Sequence, residues 1–171
     1  MRTMILGLAA ATLVAGCSGD TAQEPKKQAK AAALQAGEYE YTDKVDELRS
    51  TDNTAPATAL KVAAAGEAPP TARICVGADG ALDPKIFAEK GDKCTSTGSY
   101  MSGGRLSFQF NCTRPGKGGL SQLVDGKFTT DSFEATVTSS TYFSGPGDYT
   151  LTRTLAGRRV GDCPAQPSAA Q

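Results

Sequence analysis

The chain has 171 residues, with 18 basic and 18 acidic side chains and neither histidine nor tryptophan. A balanced charge argues against a nucleic-acid partner, because phosphate neutralisation calls for a basic excess or stripe. The missing histidine removes Ser-His-Asp and Cys-His nucleophilic arrangements.

Residues 1–16 have the layout of a secretory signal: Arg2 at the start, an apolar run from Met4 to Ala15 too short to span a bilayer comfortably, and small residues before Cys17. Leu13-Val14-Ala15-Gly16-Cys17 resembles a bacterial lipobox. The resemblance implies cleavage before Cys17 and acylation of its thiol and new amino group. At roughly 0.8 kcal/mol per buried methylene, several acyl chains hold a protein on a membrane almost permanently. Ser18 follows the cysteine where an inner-membrane retention signal would have aspartate, so the expected location is the periplasmic face of the outer membrane. Loss of Arg2 with the signal leaves 17 basic against 18 acidic side chains.

Residues 17–36 are rich in Gln, Ala, Lys and Glu and read as a flexible spacer, with no apolar stripe to dock on a domain. A β-rich domain is expected over 37–163, and a disordered tail over 164–171. Gly37–Thr42 is the first strand signal, with Tyr39 and Tyr41 on one face, and it extends toward Leu48. Asp52–Pro70 reads as a long Ala/Thr/Pro loop with a short extended piece at Leu60–Val62. Thr71–Val76 is a short strand. Asp83-Pro84 then looks like an N-cap followed by proline in the first helical position, which predicts about two helical turns over Lys85–Lys90, with Ile86 and Phe87 inward.

From Thr95 onward the pattern is β throughout. Thr95–Ser102 and Arg105–Thr113 flank Gly103-Gly104, a hairpin signal. Leu106, Phe108, Phe110 and Cys112 alternate with Arg105, Ser107, Gln109 and Asn111, so one face is buried and the other wet. Leu120–Phe128, Ser132–Thr141 and Asp148–Ala156 continue the series. Phe133, Ala135 and Val137 point inward, as do Tyr149, Leu151 and Leu155. Short connections favour antiparallel neighbours, because parallel pairing needs long crossovers. The expected fold is mainly β: a single antiparallel meander or small open barrel with one short helix.

Cys17 belongs to the anchor. Cys75, Cys94, Cys112 and Cys163 remain, and an even number in an exported domain predicts two disulfides. Their spacings of 19, 18 and 51 lack the close pairs of zinc sites. Cys94 and Cys112 lie symmetrically about the Gly103-Gly104 turn, which favours Cys94–Cys112 with Cys75–Cys163. Cys75–Cys94 with Cys112–Cys163 stays open.

Gly37-Glu38-Tyr39-Glu40, the ordered cysteines, Met101-Ser102-Gly103-Gly104-Arg105-Leu106 and the ending Gly157-Arg158-Arg159-Val160-Gly161-Asp162-Cys163 together resemble the exported proteobacterial domain-of-unknown-function family 3617. The resemblance spans about Gly37–Cys163 and implies export, disulfides and a β-rich fold. It carries over no catalytic residue. Tyr39 stands where that family more often has tryptophan, and the loop before Cys75 is long.

No set of residues points to a reaction. Ser96, Ser99 and Ser102 lack a Ser-x-x-Lys pattern. Asp125 and Asp131 sit beside turns, where aspartate bonds its own backbone. Arg114–Gly119 lacks the phosphate-loop pattern and reads as a turn with two exposed cations. Asp79-Gly80 with Asp83 does not continue into a calcium loop. Arg158 and Arg159 have Asp162 as a nearby partner. The expected function is therefore that of a non-enzymatic envelope lipoprotein without cofactor or metal. It would be a binding or structural module, held to the membrane by Cys17 and meeting an envelope protein or cell-wall component. The alternative is an inhibitor of a periplasmic or cell-wall hydrolase.

Overall fold

A computed structural model describes residues 33–164. The signal, Cys17, most of the spacer and the tail from residue 165 lie outside the described residues.

Seven strands form one antiparallel sheet that curls into a half-barrel. They are β1 (Gly37–Ser50), β2 (Thr71–Val76), β3 (Lys93–Ser102), β4 (Arg105–Arg114), β5 (Gly118–Phe128), β6 (Ser132–Phe143) and β7 (Tyr149–Gly161). The spatial order is β2-β1-β7-β6-β5-β4-β3. The run from β3 to β7 is a meander, and β1 pairs with β7 along most of its length. β2 and β3 are the two free edges. The chain therefore crosses from one edge to the other between β2 and β3, and it does so over the concave face.

The period-two pattern is observed as expected. Along β4 and β6 the alternate residues Leu106, Phe108, Phe110 and Cys112, and Phe133, Ala135 and Val137, are buried. The β3–β4 hairpin turns on Gly103 and Gly104, both at positive φ (59° and 78°) between paired Ser102 and Arg105. A two-residue hairpin turn whose twist matches that of the strands needs positive φ at both positions, which glycine adopts without steric cost.

The crossing segment supplies the other half of the core. Its helix is shorter than expected: one 3₁₀ turn at Pro84–Phe87, capped by Asp83, whose carboxylate accepts from Lys85 N. Ala88 is already extended, so the turn stops there. Helix nucleation is costly and repaid only by length; here Phe87 is anchored in the core and Glu89 is drawn to the partners described below. Phe87 is fully buried, 5.4 Å from the Phe108 ring centre, and Phe108 in turn stacks on Phe110. Burying an aromatic side chain of this size contributes about 1.5–3 kcal/mol. Ile86 is only partly buried.

Two further details differ from the sequence reading. Leu34 is 4% exposed and lies in the main core, Gln35 N donates to Thr130 O, and Ala36 O accepts from Arg159. The folded unit thus includes residues assigned above to the spacer. Loop 51–70 contains no strand at Leu60–Val62; Leu60 instead packs on a second small core of Val45, Tyr149 and Leu151. Asp52 organises this end. Its carboxylate accepts from Thr54, Gly147 N and Asp148 N, bonds that hold it well below the usual carboxylate range, the Thr54 hydroxyl foremost.

Candidate functional site

The half-barrel has two ends. At one, the chain joins β1, β4 begins at Arg105, β5 ends at Phe128 and β6 begins at Ser132. At the other, β4 ends at Arg114 and β7 begins at Tyr149. A ten-residue strand separates them by about 30 Å.

Titratable groups gather at the Arg114 end. Arg114 Nε and Nη2 donate to the two oxygens of Asp92 at 2.7 and 2.8 Å, and Nη1 donates to Ala57 O and to Tyr149 Oη. Arg114 also lies 3.1 Å from Glu89. Glu89, 7% exposed, accepts from the Tyr149 hydroxyl and from Thr58, both at 2.7 Å. The guanidinium faces the rings of Phe143 and Tyr149. Burial, then the Glu89 hydrogen bond, pushes the Tyr149 phenol well above its ordinary value. The Asp92 pair raises the pKa of Arg114 further. Charge-assisted, bidentate pairs of this kind are strong and directional. Each group is consumed by the others, so the cluster pins loop 51–70 and the crossing segment to the sheet and leaves no free base or nucleophile within it.

A second polar set lies under Phe87. Arg153, 1% exposed, pairs with Asp43 and donates to Phe87 O. Gln122 Nε2 donates to the same carbonyl at 3.4 Å and to Ser139 Oγ at 3.0 Å. Asp43 Oδ1 and Arg153 Nε are buried without a protein partner. Burial raises the pKa of Asp43, against the opposing charge of Arg153.

The residues singled out in the sequence are dispersed. Cys94 and Cys112 form the cross-hairpin disulfide. Cys75 and Cys163 are free thiols within hydrogen-bonding reach of each other, Cys75 in β2 opposite Glu38 and Cys163 just after β7. The hydrogen bond with Cys163, then burial, pushes the Cys75 thiol up to about 11. Arg114 is a correction: it is not an exposed loop cation but ends β4 with its side chain 15% exposed. Asp79 and Asp131 serve their own turns, accepting from Ala81 N and the Thr129 hydroxyl, and Asp83 caps the 3₁₀ turn. Asp125 is exposed on the convex face. Ser96 donates to Gly98 O. Arg159 pairs with Asp162, and Arg158 is exposed. Glu89, Asp92 and Asp43 carried no sequence signal. Arg153 carried one: it is in phase with Tyr149, Leu151 and Leu155 on β7, and so on the core face.

Two concavities are open. The larger, about 1040 Å³, lies at the spacer end between the Gly103-Gly104 and Thr129–Asp131 turns. Arg105 and Lys127 stand directly opposite each other on β4 and β5 at its wall; Glu134 pairs with Lys127 at 3.5 Å. The smaller, about 450 Å³, lies between the 3₁₀ turn and the edge strand β3. Neither touches Glu89, Tyr149 or Arg153.

The molecule is thus an open antiparallel half-barrel with an ion-paired crossing segment over its concave face. Residues 34–163 match the family described as Protein of unknown function (DUF3617), and the chain belongs to that family. The matched span begins at Leu34, the first core residue among the described residues. No curated protein and no solved structure matches the chain.

Proposed function

We propose that this chain is an exported, lipid-anchored, non-catalytic binding module of the cell envelope, attached through Cys17 and meeting a polar cell-wall component at the groove on its spacer end. The observation that carries the reading is the division of labour between the two ends. The titratable residues that gather are spent on one another at the Arg114 end, where catalysis would need a group left free with a perturbed pKa in a cleft. A wide concavity of about 1040 Å³ is at the opposite end, walled by turns that offer hydroxyls and backbone groups. Two like charges face each other there across β4 and β5, an arrangement that is destabilising without a counter-charge. Glu134 supplies one; Arg105 has no acidic partner among the described residues, which suits an anionic or polyhydroxyl ligand. The lipobox-like Leu13–Cys17 supports the anchor.

Two measurements test this. In cell fractionation, the wild type is expected in the membrane fraction and Cys17→Ala in the soluble periplasm; a wild type that stays soluble sinks the anchor. In co-sedimentation, purified wall sacculi are expected to pull down the chain, and Arg105→Glu with Lys127→Glu to abolish this. Wall hydrolysis by the purified chain, or sedimentation indifferent to the double substitution, overturns the binding reading.

A further inference from the structure

The two sulfurs of the Cys94–Cys112 disulfide have unequal surroundings. Cys112 is buried on the core face of β4. Cys94 is half-buried on the free edge strand β3 and lines the smaller cleft beside the 3₁₀ turn. A thiol entering that cleft therefore meets Cys94 first. Behind the bond lies Gln122, 3% exposed. Its Nε2 donates to Phe87 O and to Ser139 Oγ. Those two acceptors fix the amide with Oε1 toward the sulfurs, 3.6 Å from Cys112 Sγ and 4.0 Å from Cys94 Sγ. A disulfide sulfur carries no proton. While the bond is closed, Oε1 has no donor among the described residues, and a buried acceptor left without one destabilises the state that contains it. Opening the bond supplies two S–H groups, each a weak donor, within reach of that oxygen.

From this we infer that Cys94–Cys112 is a thiol–disulfide exchange site for a dithiol reductant, with Gln122 the positioning residue that favours its reduced form. The attacking thiolate forms a bond to Cys94 Sγ and breaks the bond from Cys94 to Cys112. Cys112 leaves with the electron pair, takes up the proton that the attacking thiol released, and donates a hydrogen bond to Gln122 Oε1. The second thiol of the reductant then displaces Cys94 from the mixed disulfide and gives up its proton to it. Two electrons and two protons pass to the protein, and the dithiol becomes a disulfide. The opened pair releases the start of β3, because Lys93–Ser96 is set off from the rest of the strand by the bulge between Ser96 and Gly98. The site is separate from the spacer-end groove and stands or falls independently of it.

The test uses the full-length chain with Cys17→Ser, Cys75→Ser and Cys163→Ser, which keeps a single disulfide. Equilibration with reduced and oxidised dithiothreitol, followed by acid quenching and alkylation, counts the opened pair, and backbone amide NMR follows the fold. The native protein is expected to open reversibly with the amides of β4–β7 in place. After brief exposure to glutathione, peptide mapping is expected to find the mixed disulfide on Cys94. Gln122→Met removes Oε1, while its loss of Nε2 bears on both redox forms alike. The equilibrium constant for reduction should then fall about tenfold, a shift of about 30 mV. Ser139→Ala, which touches only the Nε2 side, should change that constant by less than about threefold. A bond that opens only in denaturant, or a mixed disulfide on Cys112, overturns the inference without any variant at Gln122. So does a Gln122→Met constant unchanged or raised, or an equal fall in Ser139→Ala.

Discussion

Arg153→Met tests whether the buried ion pair holds the crossing segment on the sheet. The Arg153 side chain is 2% exposed and that of Asp43 25%, so removing the guanidinium leaves a largely desolvated carboxylate without a counter-charge. Breaking one side of a buried pair costs about 3–5 kcal/mol. Phe87 O keeps its Gln122 donor, and Asp43 retains some access to water and the option of protonation. The low end of the range follows, about 3 kcal/mol at pH 7. With a urea m-value of about 1.5 kcal/mol/M, the unfolding midpoint falls by about 2 M. Methionine fills the arginine's volume without charge, so Asp43→Asn with Arg153→Met should return to within about 1 kcal/mol of wild type. The pH dependence has a definite sign. The folded-state pKa of Asp43 lies above its unfolded value because burial outweighs Arg153. The native state then binds more protons, and stability falls as pH rises from about 3.8 through the raised value. Removing Arg153 leaves desolvation and the neighbouring Glu89 charge, both of which raise the pKa further. The deficit of Arg153→Met should therefore shrink as pH is lowered toward 4. Urea titrations at pH 4.5 and 7 measure this. A single variant less than about 1 kcal/mol below wild type, or a double variant no more stable than the single, refutes the reasoning.

Replacing Cys94 and Cys112 by serine opens a cross-link of sequence separation 18, for which the chain-entropy relation gives a loss of about 3 kcal/mol; urea titration under non-reducing conditions checks it, and a loss below 1 kcal/mol would show that the hairpin alone sets the geometry. In the reduced protein at pH 8, Cys75, with its thiol at about 11, should react with iodoacetamide about 100-fold more slowly than an ordinary thiol, since the thiolate is the nucleophile; Cys163→Ala should restore most of that rate. Peptide mapping of the exported protein without reduction is expected to find Cys75 joined to Cys163, and free thiols at both positions would contradict the second disulfide. Gly126→Ala drives a Cβ into Glu134 O on the paired strand, so a loss of about 1–3 kcal/mol is expected, measured by thermal unfolding, and a neutral result would mean that the β5–β6 pair yields easily.

The elements that the sequence determines by itself are those encoded by near neighbours. Alternation along β4, β6 and β7 follows from the two-residue period of the pleat. The Gly103-Gly104 turn sets the β3–β4 register as far as Gly98, and a bulge between Ser96 and Gly98, which the alternation does not announce, shifts it by one residue and so brings Cys94 opposite Cys112. Other features depend on where distant segments meet. Arg153 shares the inward phase of β7, but Asp43, which makes it tolerable there, comes from β1 through a pairing of the first strand with the last. Glu89, Asp92, Arg114 and Tyr149 lie on three separate stretches of chain and become one cluster only because the sheet curls and the crossing segment folds back over it. Leu34 follows the same logic: within an alanine- and lysine-rich stretch it gives no periodic signal, and its burial is decided by the open end of the half-barrel that it fills. Local periodicity fixes which face of each strand is apolar. Sheet curvature and strand order, set by the summed packing of the whole core, decide which polar groups are buried and which clefts stay open.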